Sequence, residues 1–458
     1  MNMTDEVCAH VAAADYAILD DFTVGRVKTR VLDAVGVIAA GVHAPRCDDL
    51  FNLLKSYGTA PQSTAFFRGE LMGAPQAAMV NSFAMRSYDF EAIEAENENR
   101  KSSAAHISGT TVPTAFAAAE RVHASGREFL TALVVGDDVA ARLGAASGFD
   151  VYGGWDNTNT INGLGATVVA GKLGGLNEQE LNNALGLSLN MLGGSMDNIN
   201  YKTLAFKLPM ALAARNAIFS ADFAARGMTA THDAIGGKKG YFFLFCGEKQ
   251  QPELLCKDLG RVFYGDVVIK PWSACRATHP SIDAVMQIVG AHDIDPEEVA
   301  HVTVHATPRT AQGFVGQPFE MGEDPQVSGA FSIIYTAAVA IAYRCVRPEY
   351  MNREAMEDPA LQRLIGKIEI APSLPSDEYQ TAEADIVMAD GTAYHARCDV
   401  PKGDIYQSPM SEEEVLDKFY RNIEFSQTLS REDADRVVQA VSRLEELDDV
   451  RELTQFMK

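Results

Sequence analysis

The chain has 458 residues, enough for two large domains or about three of roughly 150 residues each. With 47% apolar and 22% charged residues it has the composition of a folded globular protein, which excludes a disordered one. Its 39 Lys and Arg against 62 Asp and Glu leave a net charge of −23, and a surface that anionic repels nucleic-acid phosphates and anionic lipid headgroups. Neither nucleic acid nor a membrane is expected as a partner. A small anionic substrate remains compatible, provided that cations cluster locally inside a pocket.

The seven cysteines (Cys8, Cys47, Cys246, Cys256, Cys275, Cys345, Cys398) are odd in number and scattered, with no Cys-x-x-Cys pair. This argues against a disulfide framework, a zinc knuckle or an iron–sulfur cluster in the common spacings, and the thiols are expected to be reduced. The opening MNMTDEVCAH is acidic and lacks the order of a signal peptide, and nowhere do about 20 apolar residues run together. A cytoplasmic protein is expected.

In chain order, Val27, Val31, Leu32, Val35 and Ile38 recur at helical spacing and Gly41 follows where a helix should stop. The same periodicity predicts helices near 74–86, 111–124, 127–143, 163–174, 178–192 and 211–226, so the first 265 residues read as almost entirely helical. Their Ala and Gly contact faces suit close helix packing. After Lys270 the pattern changes to a helix over 281–291, a strand in which Val302 and Val304 alternate with His301, Thr303 and His305, another strand at 366–371, and a hairpin over 381–399 turning at Asp390-Gly391. The tail returns to helix, with Ser411 and Ser430 each three residues ahead of an acid. The expected organisation is therefore helical over 1–265 and 400–458, with an α+β domain over 266–399.

Gly163-Leu164-Gly165-Ala166-Thr167-Val168 has Val where a dinucleotide loop needs its third Gly, and the run from Gly165 to Gly171-Lys172-Leu173 has one residue too many for a P-loop. No strand precedes either, so these glycines are expected to pack helices. His301 and His305 have helical zinc spacing, but on a strand at roughly 3.3 Å per residue they stand about 13 Å apart. These two and His395 are expected to be ordinary histidines without ligand-like partners.

Two stretches carry candidate chemistry. His106 stands ahead of a helix expected to start near Pro113, and a helix N-terminus attracts anions, so a bound carboxylate would lie beside the imidazole. Arg276 and His279 repeat the arrangement before the 281–291 helix. Together they suit an acid/base pocket for a carboxylate, and they would equally serve as a pair of helix caps. Lys207, ahead of Pro209 at another helix start, runs against the helix dipole unless it meets an anion, and is alternatively a surface lysine over apolar neighbours. The stretch 94–103, with Glu94, Glu96, Glu98, Arg100 and Lys101, reads as a solvated loop.

Taken together, these segments resemble the MmgE/PrpD family. The resemblance spans nearly the whole chain. It rests on Val31-Leu32-Asp33-Ala34-Val35-Gly36-Val37, Asp89-Phe90 followed by His106, Ala213-Ala214-Arg215-Asn216-Ala217, Lys270-Pro271-Trp272 with Arg276-Ala277-Thr278-His279-Pro280, Phe331-Ser332-Ile333-Ile334-Tyr335, and Val400-Pro401-Lys402-Gly403-Asp404. It implies a mainly α protein with an inserted α+β domain, usually a homodimer, working on carboxylates without cofactor or metal by elimination, decarboxylation or epimerisation. By the same resemblance Asp89, His106 and His279 match catalytic motif positions, and Tyr335 falls in a substrate-binding block.

The sequence also departs from the family pattern. Arg86 stands where a histidine is common, Glu91-Ala92 replaces two aspartates, Asp156 lies where the family shows a histidine, and Phe206-Lys207-Leu208-Pro209 replaces Lys-x-Leu-His. Asp156 would repel a polycarboxylate unless it is protonated or paired with Arg86, Lys207 or Arg276. The resulting expectation is a lyase of dehydratase or decarboxylase type on a small di- or tricarboxylate. In it His106, His279, Asp89 and Asp156 are catalytic, and Lys207, Arg276, Arg86 and Tyr335 bind substrate. An isomerase or epimerase, or a non-catalytic paralogue, is the alternative.

Overall fold

The computed structural model describes residues 2–96, 105–378 and 380–458. Its N-terminal part is built on helices α1 (Asp21–Gly41), α2 (Ala74–Met85), α3 (Ile107–Val122), α4 (Gly126–Ser147), α5 (Asn162–Leu173), α6 (Glu178–Leu189) and α7 (Leu208–Ala224). Small residues let these helices approach closely. A Cβ on Gly136 of α4 would meet Gly165 O at 2.8 Å, and one on Gly165 of α5 would meet Gly136 O at 2.7 Å, so each glycine accommodates the other's backbone. Gly163 and Gly165 thus lie inside a buried helix.

The all-helical expectation for the first 265 residues needs correcting in two places. Strands β1 (Ser63–Ala65) and β2 (Glu70–Met72) form a small antiparallel pair, and β3 (Ile93–Ala95) pairs antiparallel with β4 (Asp266–Val268), setting Ala95 opposite Asp266. Three-residue strands are too short to show an alternation in sequence. The β3–β4 pair matters because it joins the segment after Asp89 to the start of the α+β region.

That region holds α8 (His279–Ala291) and a four-stranded sheet of β5 (Val299–His305), β6 (Ile368–Ala371), β7 (Ala382–Met388) and β8 (Ala393–Cys398), in the order β6-β5-β7-β8. β5 runs parallel to β6, while the other neighbours are antiparallel, and Gly391 takes φ +88° in the β7–β8 turn. His305 and His395 both reach Asp385 at 2.8 Å and His301 reaches Glu369 at 3.2 Å, so each strand histidine is satisfied by a carboxylate on the sheet's outer face, in the ordinary role expected of it. Helix α9 (Ile333–Tyr343) packs against α8. The tail helices α10 (Glu412–Ser426) and α11 (Arg431–Ser442) start at the expected Ser411 and Ser430 caps, and α10 returns to lie along α1.

Helix α3 begins at Ile107, not near Pro113, and carries Pro113 in its interior. Proline has no N–H to give the carbonyl four residues back, that of Gly109. The Ser82 hydroxyl of α2 supplies the missing donor, at 2.8 Å. Ser82→Ala is therefore expected to cost about 1–3 kcal/mol by orphaning that buried carbonyl. In a Pro113→Ala background, where the restored backbone N–H can serve Gly109, the loss should largely vanish; equal losses in both backgrounds, measured by denaturant titration, would contradict this account.

Candidate functional site

The chain leaves α2 through a 3₁₀ turn, Arg86–Tyr88, and passes through a left-handed residue at Asp89, φ 49°. Aspartate tolerates that conformation better than most residues. Buried cations from distant segments hold the turn's carbonyls: Lys270 Nζ donates to Asp89 O at 2.5 Å and Lys418 Nζ to Phe90 O at 3.0 Å. Lys418, on α10, also pairs with Asp33 of α1 at 2.6 Å and lies 3.9 Å from the centre of the Phe90 ring.

The side chains of this turn form a buried charge cluster. Arg86 Nη1 contacts Asp89 Oδ1, lies 2.6 Å from Glu91 Oε1, and stacks its guanidinium over Phe206 at 5.0 Å. Lys270 Nζ is 3.1 Å from Asp89 Oδ2. Burial works against the charge of Asp89, but Lys270 and then Arg86 outweigh it and hold the carboxyl below its ordinary value. Burial likewise opposes the charge of Glu91, and Arg86 and His106 keep it ionised. Arg86 in turn has its pKa raised, because Asp89 and Glu91 more than repay its own desolvation.

His106 Nδ1 lies 2.7 Å from Glu91 Oε1 and 4.0 Å from Asp89 Oδ1. Because Glu91 is an ionised acceptor, Nδ1 carries the proton in this pair. Nε2 then holds the lone pair, and it has no hydrogen-bond partner among the described residues. Burial, and after it Arg86, push the His106 pKa below 6.5, so the imidazole is neutral near pH 7. A neutral imidazole oriented through a carboxylate, with one bare nitrogen, is equipped to move a proton.

His106 is the N-cap residue of α3, and a carboxylate does sit at that helix start, although it belongs to the protein. Asp266 accepts from Ile107 N at 3.3 Å and Ser108 N at 2.7 Å. Arg30 donates to Asp266 O at 3.3 Å and pairs with Asp137 at 2.7 Å. The position expected to receive substrate is thus filled by Asp266.

The remaining expected residues make their hydrogen bonds elsewhere in this structure, although the charge of Asp156, after those of Asp89 and Glu91, helps to raise the Arg86 pKa. His279 is fully buried, its Nε2 3.1 Å from Ala274 O, which leaves Nδ1 buried without a partner. Burial, then Arg276 and Lys270, hold its pKa well below 6.5. Among the described residues His279 makes no hydrogen bond with His106. Arg276 donates to Lys402 O at 2.7 Å and Pro401 O at 3.0 Å, and lies 3.4 Å from Glu94. Lys207 Nζ donates to Pro45 O at 2.9 Å and lies 5.0 Å from the Phe83 ring centre, with burial lowering its pKa to about 8. It is thus not a surface lysine. Asp156 caps a short helix, accepting from Thr158 N at 2.9 Å and Thr158 Oγ1 at 2.6 Å. Tyr335 is buried in α9, with its hydroxyl bonded to Tyr350 O and its ring stacked on Phe319 at 5.0 Å.

Glu94 and Glu96 are buried, not solvated, since β3 runs beside β4; residues 97–104, with Glu98, Arg100 and Lys101, lie outside the described residues. A cavity of about 280 Å³ borders the turn, lined by Phe90, Trp272, Lys402 and Lys418 among others, but by neither His106 nor His279. Sequence reasoning missed Glu91, Lys270, Lys418 and Asp266 as site residues. Glu91 carried a local signal through its place two residues after Asp89, and Lys270 through the Lys270-Pro271-Trp272 block; Lys418 and Asp266 carried none.

The fold and site define a mainly helical, two-domain protein with a buried acid–base centre where the segment after α2 meets α3. Residues 5–254 match the MmgE/PrpD N-terminal domain and residues 272–444 the MmgE/PrpD C-terminal domain, and the chain belongs to that family. It is similar to the cis-aconitate decarboxylase of Mus musculus, 25% identical over 96% of this chain and 90% of that protein. The cis-aconitate decarboxylase of Homo sapiens is 24% identical over 100% and 95%, and one from Aspergillus terreus 21% over 91% and 88%. At family level these relatives support a lyase-type enzyme.

Burial raises the Asp266 pKa from 3.8 to about 7. Between those values the folded protein keeps a proton that the unfolded chain has released, so this group's contribution to stability declines as pH rises through that window. Asp266→Asn removes the dependence. The stability of the variant relative to wild type should therefore climb between about pH 4 and pH 7, and parallel stability–pH curves would count against the assignment.

Proposed function

We propose that this protein is a cofactor-independent lyase acting on a small di- or tricarboxylate by proton transfer next to a carboxylate, with decarboxylation the leading reaction. The observation that carries this reading is His106, held by Glu91 through Nδ1 at 2.7 Å, with no hydrogen-bond partner for Nε2 among the described residues. The names of the relatives favour decarboxylation over dehydration. His279, also neutral and with its Nδ1 bare, is the second proton carrier in this proposal.

The chemistry follows from the charges. A carboxylate substrate beside Nε2 raises the imidazole pKa and draws a proton from solvent onto it. Loss of CO₂ breaks a carbon–carbon bond and leaves the electron pair on the substrate's carbon framework. The Nε2 proton is delivered to that framework, and His106 returns to its neutral state. Asp89, fixed by Lys270 and Arg86, keeps the cluster in register. In a dehydration Nε2 would instead accept the α-proton, and a second acid would protonate the leaving hydroxide.

The experiment is incubation with cis-aconitate and a panel of di- and tricarboxylates in deuterated water. It follows CO₂ release, ultraviolet absorbance of the alkene and deuterium at carbon. CO₂ release with one deuterium incorporated supports the proposal, whereas exchange without loss of CO₂ or water would replace it by an isomerase. His106→Ala is expected to lower kcat by about 10²-fold or more. Glu91→Gln should lower kcat more than it changes KM, since it disturbs a proton path and leaves room for substrate. Wild-type rates in His106→Ala would overturn the assignment.

The protein is also proposed to work as a homodimer. One face of α7 exposes Leu208, Phe219 and Phe223, an apolar stripe suited to a second copy. Sedimentation should give twice the chain mass, and Phe219→Glu should shift it to the monomer.

A further inference from the structure

One oxygen each from Asp89 and Glu91 and one nitrogen of His106 lie within 4.8 Å of one another, all three residues being buried. Two carboxylates and an imidazole at such spacing form a donor set for a divalent cation of the manganese, cobalt or zinc type. Arg86 Nη1 stands among those atoms, in contact with Asp89 Oδ1, 2.6 Å from Glu91 Oε1 and 3.3 Å from His106 Nδ1. The guanidinium is itself buried, and Glu91 Oε2, the oxygen not used by Arg86 and His106, is buried with no hydrogen-bond partner.

Arg86 and Lys270 offset Asp89 and Glu91, the charge of Asp156 also acts on Arg86, and His106 is neutral. Phe206 covers the other face of the guanidinium. Nη1 of Arg86 is committed to the two carboxylates, whereas its Nε is buried without a hydrogen-bond partner.

We propose that Arg86 is the resident cation of a centre whose ligands, once His106 Nδ1 gives up its proton, would be Asp89, Glu91 and His106. It occupies the position a divalent metal would take, and it positions His106 by holding Glu91. A guanidinium offers no open coordination position of the metal kind, so the centre acts by orienting the imidazole. This inference concerns the cluster alone and holds whichever carboxylate is turned over.

The test is Arg86→Met, which keeps much of the volume but removes the charge, leaving two carboxylates and an imidazole around an unfilled cation position. Mn²⁺ is the probe because it favours oxygen and imidazole over thiol. Loss of the free Mn²⁺ paramagnetic resonance signal on adding Arg86→Met, with a Mn²⁺-dependent rise in Tm, is the expected result. Wild type, Arg86→Lys and the charge-relieved double variant Arg86→Met/Glu91→Gln should show neither. If Arg86→Met does not fold by itself, refolding with and without Mn²⁺ gives the same information, and recovery is expected only with the metal. A folded Arg86→Met that ignores Mn²⁺, no recovery on refolding, or equal binding by wild type would overturn the proposal. Failure of cis-aconitate turnover would bear on the proposed reaction and leave this result standing.

Discussion

Burying a carboxylate without a partner costs several kilocalories per mole, and a charge that cannot be paired inside a protein is neutralised instead. Asp89 and Glu91, two residues apart in a buried turn, meet that constraint only because Arg86, Lys270 and Lys418 converge on the turn. Arg86 is local, whereas Lys270 begins the α+β region and Lys418 belongs to the tail helix. The site therefore exists only when segments from the N-terminal part, the α+β region and the C-terminal tail are assembled together.

That assembly also sets the protonation states. Dense positive charge beside His106 and His279, added to burial, disfavours both imidazolium forms and leaves two neutral imidazoles. In each, a hydrogen bond from one ring nitrogen selects the tautomer and leaves the other nitrogen without a partner among the described residues. Asp266 contributes differently: by capping α3 it removes a helix N-terminus from the surfaces open to an anion and fixes the backbone next to His106.

Much of the architecture was legible beforehand. The period of apolar residues marked most of the helices, the serine caps marked the tail, and Asp390-Gly391 marked the hairpin, because each is set by neighbours within a few residues. The start of α3 was misplaced because proline is a poor helix-interior residue on local grounds, and the hydroxyl that compensates for it comes from another helix, at Ser82. Asp89, His106 and His279 were singled out as candidates from motif and spacing. The cationic candidates were harder to judge: Lys207 and Arg276 are buried, but their donors are directed at backbone carbonyls and at Glu94.

By itself, the sequence determined which stretches are helical, where the α+β region begins and which residue types are available for proton transfer, since these depend on local periodicity and composition. Only the tertiary structure decided that Glu91 orients His106, that Arg86 stands among Asp89, Glu91 and His106, and that Asp266 occupies the helix start. Those outcomes depend on how charges from remote segments find partners once water is excluded, and neither periodicity nor spacing along the chain records that pairing.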